Sequence, residues 1–126
     1  MAKKILLADD EVRILRLAQL NLERVGYTVV TAADGYEAVA RARTEKPDAI
    51  ILDVMMPNMD GFAALDALKA DPETRDIPVI MLTAMTKDAD IIQGTSAGAA
   101  IYLAKPFNPM ELLQSVRIVL GEAHAG

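Results

Sequence analysis

Short apolar runs alternate along the chain with longer segments of helical periodicity. The apolar runs predict five strands, at residues 4–8, 27–31, 49–52, 77–82 and 100–104. Amphipathic spacing predicts helices at residues 12–25, 36–44, 62–70, 88–97 and 109–120. A helix between two strands provides the crossover that a parallel pair requires. The pattern therefore predicts an α/β fold, a three-layer sandwich around a five-stranded parallel sheet.

Two of the predicted helices differ in the strength of their pattern. In the first, the apolar stripe consists of Ile14, Ala18, Leu22 and Val25, widened by Leu15 and Leu17. In the helix over residues 88–97, Gly94, Thr95 and Ser96 are poor helix formers. We hypothesise that this helix is mobile.

Composition narrows the class of protein. The 126 residues contain no cysteine and carry a net charge of −5, without a run of Lys and Arg that would form a basic stripe for nucleic acid. The first apolar run is too short for a signal peptide or a membrane span. We expect one cytoplasmic domain over residues 1–121 and a short tail over residues 122–126.

Polar side chains follow four of the predicted strands at the point where each strand ends. Asp9 and Asp10 follow the first strand, Asp53 the third, Thr83 the fourth and Lys105 the fifth. The carboxyl ends of parallel strands lie at one edge of the sheet, where open α/β sheets bind their ligands. We therefore expect three carboxylates, a hydroxyl and an ammonium group to converge there.

Such a cluster favours a divalent cation and an anion as ligands. Two carboxylates 4 Å apart repel each other by about 4 kcal/mol at an effective dielectric constant near 20. Mg²⁺ prefers oxygen ligands, and it is usually held by one or two carboxylates together with phosphate oxygens. Asp10 and Asp53 are candidate direct ligands, and Asp9 is a candidate for orienting a bound water. Phosphoryl transfer fits this set, with Asp53 as the nucleophile that accepts the group.

The chain resembles the receiver domain of bacterial two-component response regulators, including the single-domain chemotaxis regulators. Four elements carry the resemblance, in order and in position relative to the strands. They are Leu6 to Glu11 (LLADDE), Ile51 to Gly61 (ILDVMMPNMDG), Pro78 to Ala84 (PVIMLTA) and Tyr102 to Phe107 (YLAKPF).

The resemblance implies a role for each site residue. Asp53 would be the phosphorylated residue. The Mg²⁺ site, in which Mn²⁺ can substitute, would use Asp9, Asp10, Asp53 and the backbone carbonyl of Met55. Thr83 would be the switch hydroxyl, Lys105 the phosphate-binding lysine and Tyr102 the aromatic switch residue. The sheet order would be 2-1-3-4-5, as in flavodoxin-like folds, and the bond from Lys105 to Pro106 would be cis.

The resemblance also implies a function and partners. The chain would be a signalling switch that takes a phosphoryl group from a phosphohistidine of a sensor kinase or phosphotransfer protein. It would catalyse only its own phosphorylation and dephosphorylation, so it would not be an ordinary enzyme. The output face would combine the predicted helix 88–97, the fifth strand and the last helix. The target would be a downstream protein or an effector domain outside this sequence, with no direct contact to nucleic acid or membrane. The chain would be a monomer or a phosphorylation-dependent dimer.

Two other functions remain as alternatives. An aspartyl-nucleophile phosphatase of the dehalogenase type would need a second Asp two residues after the nucleophile, where this chain has Met55. A nucleotide- or flavin-binding domain of similar topology would need a glycine-rich phosphate loop, and neither a G-x-G-x-x-G nor a P-loop pattern is present.

Overall fold

A computed structural model of the protein describes residues 2–84, 98–105 and 107–122. Within these residues one sheet contains β1 (Lys4–Ala8), β2 (Thr28–Ala32), β3 (Ala49–Asp53), β4 (Val79–Ala84) and β5 (Ile101–Lys105). The paired strands are all parallel, and their order is β2-β1-β3-β4-β5. The predicted fold class and strand order are confirmed.

Four helices are described: α1 (Val12–Arg24), α2 (Gly35–Glu45), α3 (Gly61–Ala70) and α4 (Pro109–Val119). The longest has 13 residues, and no helix in the described part of the chain is long and apolar enough to cross a membrane. Three predictions lie outside the described residues. These are the mobile helix over residues 88–97, the cis bond at Pro106 and residues 123–126 of the predicted tail.

The sheet buries side chains on both faces, because alternate strand residues point to opposite sides. On one face Leu6, Ile50 and Leu52 pack with residues of α2 and α3. On the other face Leu7 and Ile51 pack with residues of α1 and α4. These two apolar layers, each between the sheet and a pair of helices, make the fold a three-layer sandwich.

The apolar stripe of α1 is narrower than the sequence pattern indicates. Ala18 and Leu22 are buried, but Leu17 and Val25 are 58% and 45% exposed. Val25 lies beyond the last helical residue, as the C-cap. Leu17 lines a groove between α1 and α4 instead of facing the sheet. The prediction that both residues belong to the core stripe is wrong, because periodicity does not show where a stripe ends.

The first turn of α4 is fixed by reciprocal hydrogen bonds. Asn108 Oδ1 accepts from the Glu111 amide at 2.9 Å, and the Asn108 amide donates to Glu111 Oε1 at 3.0 Å. Replacing Asn108 by alanine removes the first bond, so we expect the free energy of unfolding to fall by about 1 kcal/mol. Urea denaturation measures this change. Gln114→Ala, at an exposed position in the same helix, is the control, and an equal loss in both variants would contradict the prediction.

The amino-terminal edge of the sheet brings distant parts of the chain together. The amide of Thr28 donates to the carbonyl of Lys3 at 2.9 Å. Tyr27 Oη donates to Glu122 Oε1 at 2.7 Å. The described chain thus ends, after α4, beside the beginning of β2.

Candidate functional site

The carboxyl-terminal edge of the sheet carries the polar residues that the sequence analysis singled out. In the register of the sheet Ala8 pairs with Leu52, which places Asp9 and Asp53 at neighbouring strand ends. Asp53 pairs with Leu82, and Ala84 pairs with Lys105. The ends of four strands therefore lie at the same edge of the sheet.

Three carboxylates meet at this edge. One carboxylate oxygen from each of Asp9, Asp10 and Asp53 lies within 4.8 Å of the others. Asp9 is 1% exposed and Asp53 is 4% exposed, whereas Asp10 is exposed. The acidic pocket formed by these three residues thus has two buried members and one that opens to solvent.

Lys105 bridges the two buried carboxylates. Its Nζ lies 2.8 Å from Asp53 Oδ2 and 3.2 Å from Asp9 Oδ2. Backbone amides bind the other oxygens: Glu11 donates to Asp9 Oδ1 at 2.9 Å, and Met55 donates to Asp53 Oδ1 at 3.3 Å. The two carboxylates are therefore held in fixed orientations.

The pocket shifts the pKa of two of its groups. Burial raises the pKa of Asp53 from 3.8 to about 6; the charge of Asp9 adds to this rise, and Lys105 opposes it. Burial lowers the pKa of Lys105, but its hydrogen bonds and charge interactions with Asp53 and Asp9 outweigh this effect, so the pKa lies above its ordinary value. Ionising Asp53 thus costs more free energy in the pocket than in water, even with the ammonium group of Lys105 beside it.

The charges and donor atoms of the pocket fit a hard divalent cation. Three ionised carboxylates and one ammonium group sum to a charge of −2. All the acidic donors are oxygens, the ligands that Mg²⁺ prefers. Asp10, Asp53 and Asp9 are the side chains that would hold the ion directly or through water.

The loop from Val54 to Asp60 leads from Asp53 to α3. It is closed by a hydrogen bond at 2.9 Å from the Gly61 amide to the Val54 carbonyl. A Cβ atom at Gly61 would overlap the Asp53 carbonyl oxygen, so glycine allows the close approach of α3 to the strand end. Met55, in this loop, has a side chain that is 70% exposed.

The other two predicted site residues lie on β4 and β5. Thr83 is 1% exposed and pairs in register with Ala104, next to Lys105. Tyr102 is half-buried and packs against the apolar layer that contains Met81. The switch roles predicted for both residues stay predictions.

Sequence reasoning missed a contact between this loop and α2. Asn58 Nδ2 donates to Asp34 Oδ2 at 2.9 Å, and the Gly35 amide donates to the Met59 carbonyl at 3.1 Å. In the sequence, Asp34-Gly35 and Pro57-Asn58 each fit a local turn pattern. Nothing in the local pattern indicates that the two turns touch.

A doubly wound parallel sheet with an acidic pocket and a lysine at its carboxyl edge defines the class of phosphoryl-accepting receiver domains. The response regulator receiver domain profile matches residues 5–117. The chain belongs to this family.

Individual relatives agree with this assignment. The chain is 47% identical over 120 residues to the alkaline phosphatase synthesis transcriptional regulatory protein PhoP of Bacillus subtilis, a match that covers 95% of this chain and 49% of PhoP. The chain therefore spans about half the length of the curated relatives it matches.

Solved structures show the same fold over complete chains. The chemotaxis response regulator CheY4 of Vibrio cholerae is 39% identical, with a TM-score of 0.90 over 95% of this chain and all of that one. The receiver domain of sensor histidine kinase PA1611 from Pseudomonas aeruginosa is 34% identical, with a TM-score of 0.88 over 96% of this chain and 99% of that one. That structure has a magnesium ion coordinated in its active-site cleft.

Proposed function

We propose that the chain is a phosphorylation-dependent signalling switch whose phosphoryl acceptor is Asp53. The observation that carries the proposal is the ion pair inside the pocket, where Lys105 Nζ lies 2.8 Å from the buried Asp53 Oδ2. This arrangement provides a nucleophilic carboxylate and a cation that can neutralise an incoming phosphoryl group. The donor is a phosphohistidine of a sensor kinase or a phosphotransfer protein.

In the transfer step an oxygen of Asp53 attacks the phosphorus atom. A new O–P bond forms as the bond from phosphorus to the donor histidine nitrogen breaks, and the electron pair leaves on that nitrogen. Lys105 holds a phosphoryl oxygen by charge, and the Thr83 hydroxyl donates a hydrogen bond to another. Drawing Thr83 toward the group opens space into which the ring of Tyr102 moves.

The acidic pocket is proposed as the Mg²⁺ site, with Mn²⁺ as a substitute. Asp10, Asp53 and the Met55 carbonyl would bind the ion, and Asp9 would orient one of its waters. When bound, the ion supplies positive charge that stabilises the phosphoryl oxygens during transfer. The magnesium ion in the PA1611 receiver domain supports this proposal, since the chain shares 34% identity with that protein.

The output of the switch is binding, because the chain acts only on its own acylphosphate. We propose that the signal leaves through the face of β5, α4 and residues 88–97, to a downstream protein or an attached effector domain. The name of PhoP as a transcriptional regulatory protein and its greater length support an effector domain.

A histidine kinase as donor supports action in the cytoplasm. We also propose that the receiver domain comprises residues 1–121. The chain would be a monomer that can dimerise on phosphorylation.

Incubation with acetyl phosphate tests the switch chemistry. With Mg²⁺ present, we expect the intact mass of the chain to show one phosphoryl adduct, because Asp53 displaces acetate from the phosphorus. The Asp53→Asn variant and the wild type in EDTA are the two controls. An adduct on Asp53→Asn, or none on the wild type with both acetyl phosphate and a phosphorylated donor kinase, would contradict the proposed function.

A further inference from the structure

The loop that begins after Asp53 is fastened to the N-terminus of α2. The first link is the hydrogen bond at 2.9 Å from Asn58 Nδ2 to Asp34 Oδ2. The second is the bond at 3.1 Å from the Gly35 amide to the Met59 carbonyl. The two links join residues that are 24 positions apart in the chain.

The approach of the two segments is close enough to exclude a side chain. A Cβ atom at Gly35 would overlap the carbonyl oxygen of Met59. Asn58 has a φ of 67°, in the left-handed region that asparagine tolerates better than most residues. The loop thus takes a specific backbone shape where it meets α2.

Asp34 is itself held firmly on the α2 side. Its Oδ1 accepts from the Glu37 amide at 2.8 Å as the N-cap of α2. Glu37 in turn accepts from the Ala33 amide at 2.7 Å through Oε1. The hydrogen bonds from Glu37 and then Asn58 keep the pKa of Asp34 below its ordinary value. Asp34 is therefore a fixed acceptor to which the loop attaches.

The same loop carries the groups that face the pocket. The Met55 amide binds Asp53 Oδ1 at 3.3 Å, and the loop closes where the Gly61 amide binds the Val54 carbonyl. Asn58 follows Met55 by only three positions in this loop. We propose that Asp34 and Asn58 are a pair of positioning residues that hold this loop in its cation-binding shape. The inference rests on the proposed function, because it concerns the same cation.

Three variants separate this role from charge and from helix capping. Asn58→Gly keeps the left-handed backbone conformation accessible and removes the side-chain amide that donates to Asp34. Asp34→Ser keeps an N-cap oxygen for Glu37 but is too short to reach Asn58. Asp60→Ser is the matched control, because it removes a carboxylate from the same loop and keeps the cap that Asp60 Oδ1 forms with the Ala63 amide.

A double replacement tests whether the pair acts through its hydrogen bond. In Asp34→Asn with Asn58→Asp the donor and acceptor exchange sides and the net charge is unchanged. Asparagine is a good N-cap, and aspartate tolerates the left-handed region. Asn58→Asp alone places two carboxylates next to each other. Adding Asp34→Asn should therefore restore the Mn²⁺ affinity that Asn58→Asp loses.

Mn²⁺ binding to the full chain, followed by electron paramagnetic resonance of the free ion, is the first measurement. We expect the Kd to rise roughly tenfold in Asn58→Gly and Asp34→Ser, as is usual when a partner behind a metal ligand is lost. Asp60→Ser and the double exchange should stay within about twofold of the wild type, since neither breaks the pair.

Amide hydrogen exchange in EDTA is the second measurement, and it does not depend on the metal. The Gly35 amide should exchange faster in Asn58→Gly than in Asp60→Ser, because its acceptor Met59 is no longer held. Wild-type protein that binds no Mn²⁺ would overturn both the proposed function and this inference. Wild-type binding with unchanged Kd in Asn58→Gly and Asp34→Ser, or no rescue by the double exchange, would overturn the inference alone.

Discussion

Replacing Asp53 by asparagine is expected to stabilise the protein in metal-free buffer at pH 7.5 by up to about 3 kcal/mol. The difference between a pKa of 3.8 and one of about 6 corresponds to about 3 kcal/mol against the ionised carboxylate in the folded state. Urea denaturation in EDTA measures the change.

The sign of the pH dependence follows from the raised pKa. Below about pH 3 Asp53 is protonated in both the folded and the unfolded state, so it gives no difference between the variants. As the pH rises from about 4 to about 6, ionisation of Asp53 in the unfolded state lowers the stability of the wild type relative to Asp53→Asn, and the gap is full above about pH 7. Saturating Mg²⁺ should narrow the gap, since a ligand at 100 times its Kd adds about 3 kcal/mol to the wild type. A gap that is independent of pH would contradict this account.

Replacing Lys105 by methionine is expected to have the opposite effect. The methionine leaves the buried carboxylates of Asp9 and Asp53 facing each other without the ammonium group that joins them. Removing one partner of a buried ion pair costs about 3 kcal/mol or more. Because protonation of Asp53 relieves the repulsion, the loss measured by urea denaturation in EDTA should be larger at pH 8 than at pH 5.

A lysine on the surface provides the matched control for this variant. Lys46 Nζ lies 3.8 Å from Glu73 Oε1, and both side chains are more than 60% exposed, at 69% and 64%. Lys46→Met should therefore leave stability unchanged. Adding Asp53→Asn to Lys105→Met should recover at least half of the loss, because only one buried carboxylate remains. Equal losses at both pH values, or equal losses at Lys46 and Lys105, would contradict the prediction.

The convergence of the site could be predicted from the sequence because two simple rules combine. Apolar runs mark strands, and parallel strands place their carboxyl ends together. Asp9, Asp53 and Lys105 each follow such a run, and in the structure Lys105 Nζ lies within 3.2 Å of an oxygen of each carboxylate. Their roles were predicted from the chemistry of carboxylates beside an ammonium group and from the family resemblance, and they stay proposals.

The rest could not be predicted because it depends on how elements lie against each other. Asp34 and Asn58 each fit a local turn pattern, and only the packing of α2 beside the loop turns them into a pair. In the same way, the periodicity of α1 places Leu17 near its apolar stripe. The position of α4 decides that this leucine faces a groove. Tertiary contacts of this kind cannot be predicted from the local pattern of a single sequence.

The hydrogen bond between Tyr27 and Glu122 fixes how far the end of the described chain lies from Asp53. It places the end of the described chain at the amino-terminal edge of the sheet, whereas Asp53 lies at the opposite edge. A strand of five residues separates the two edges by roughly 16 Å. A segment that continues after Glu122 would therefore start at the edge of the sheet opposite Asp53. The two apolar layers on the faces of the sheet are the material that connects these two edges, and because they are close-packed they transmit strain.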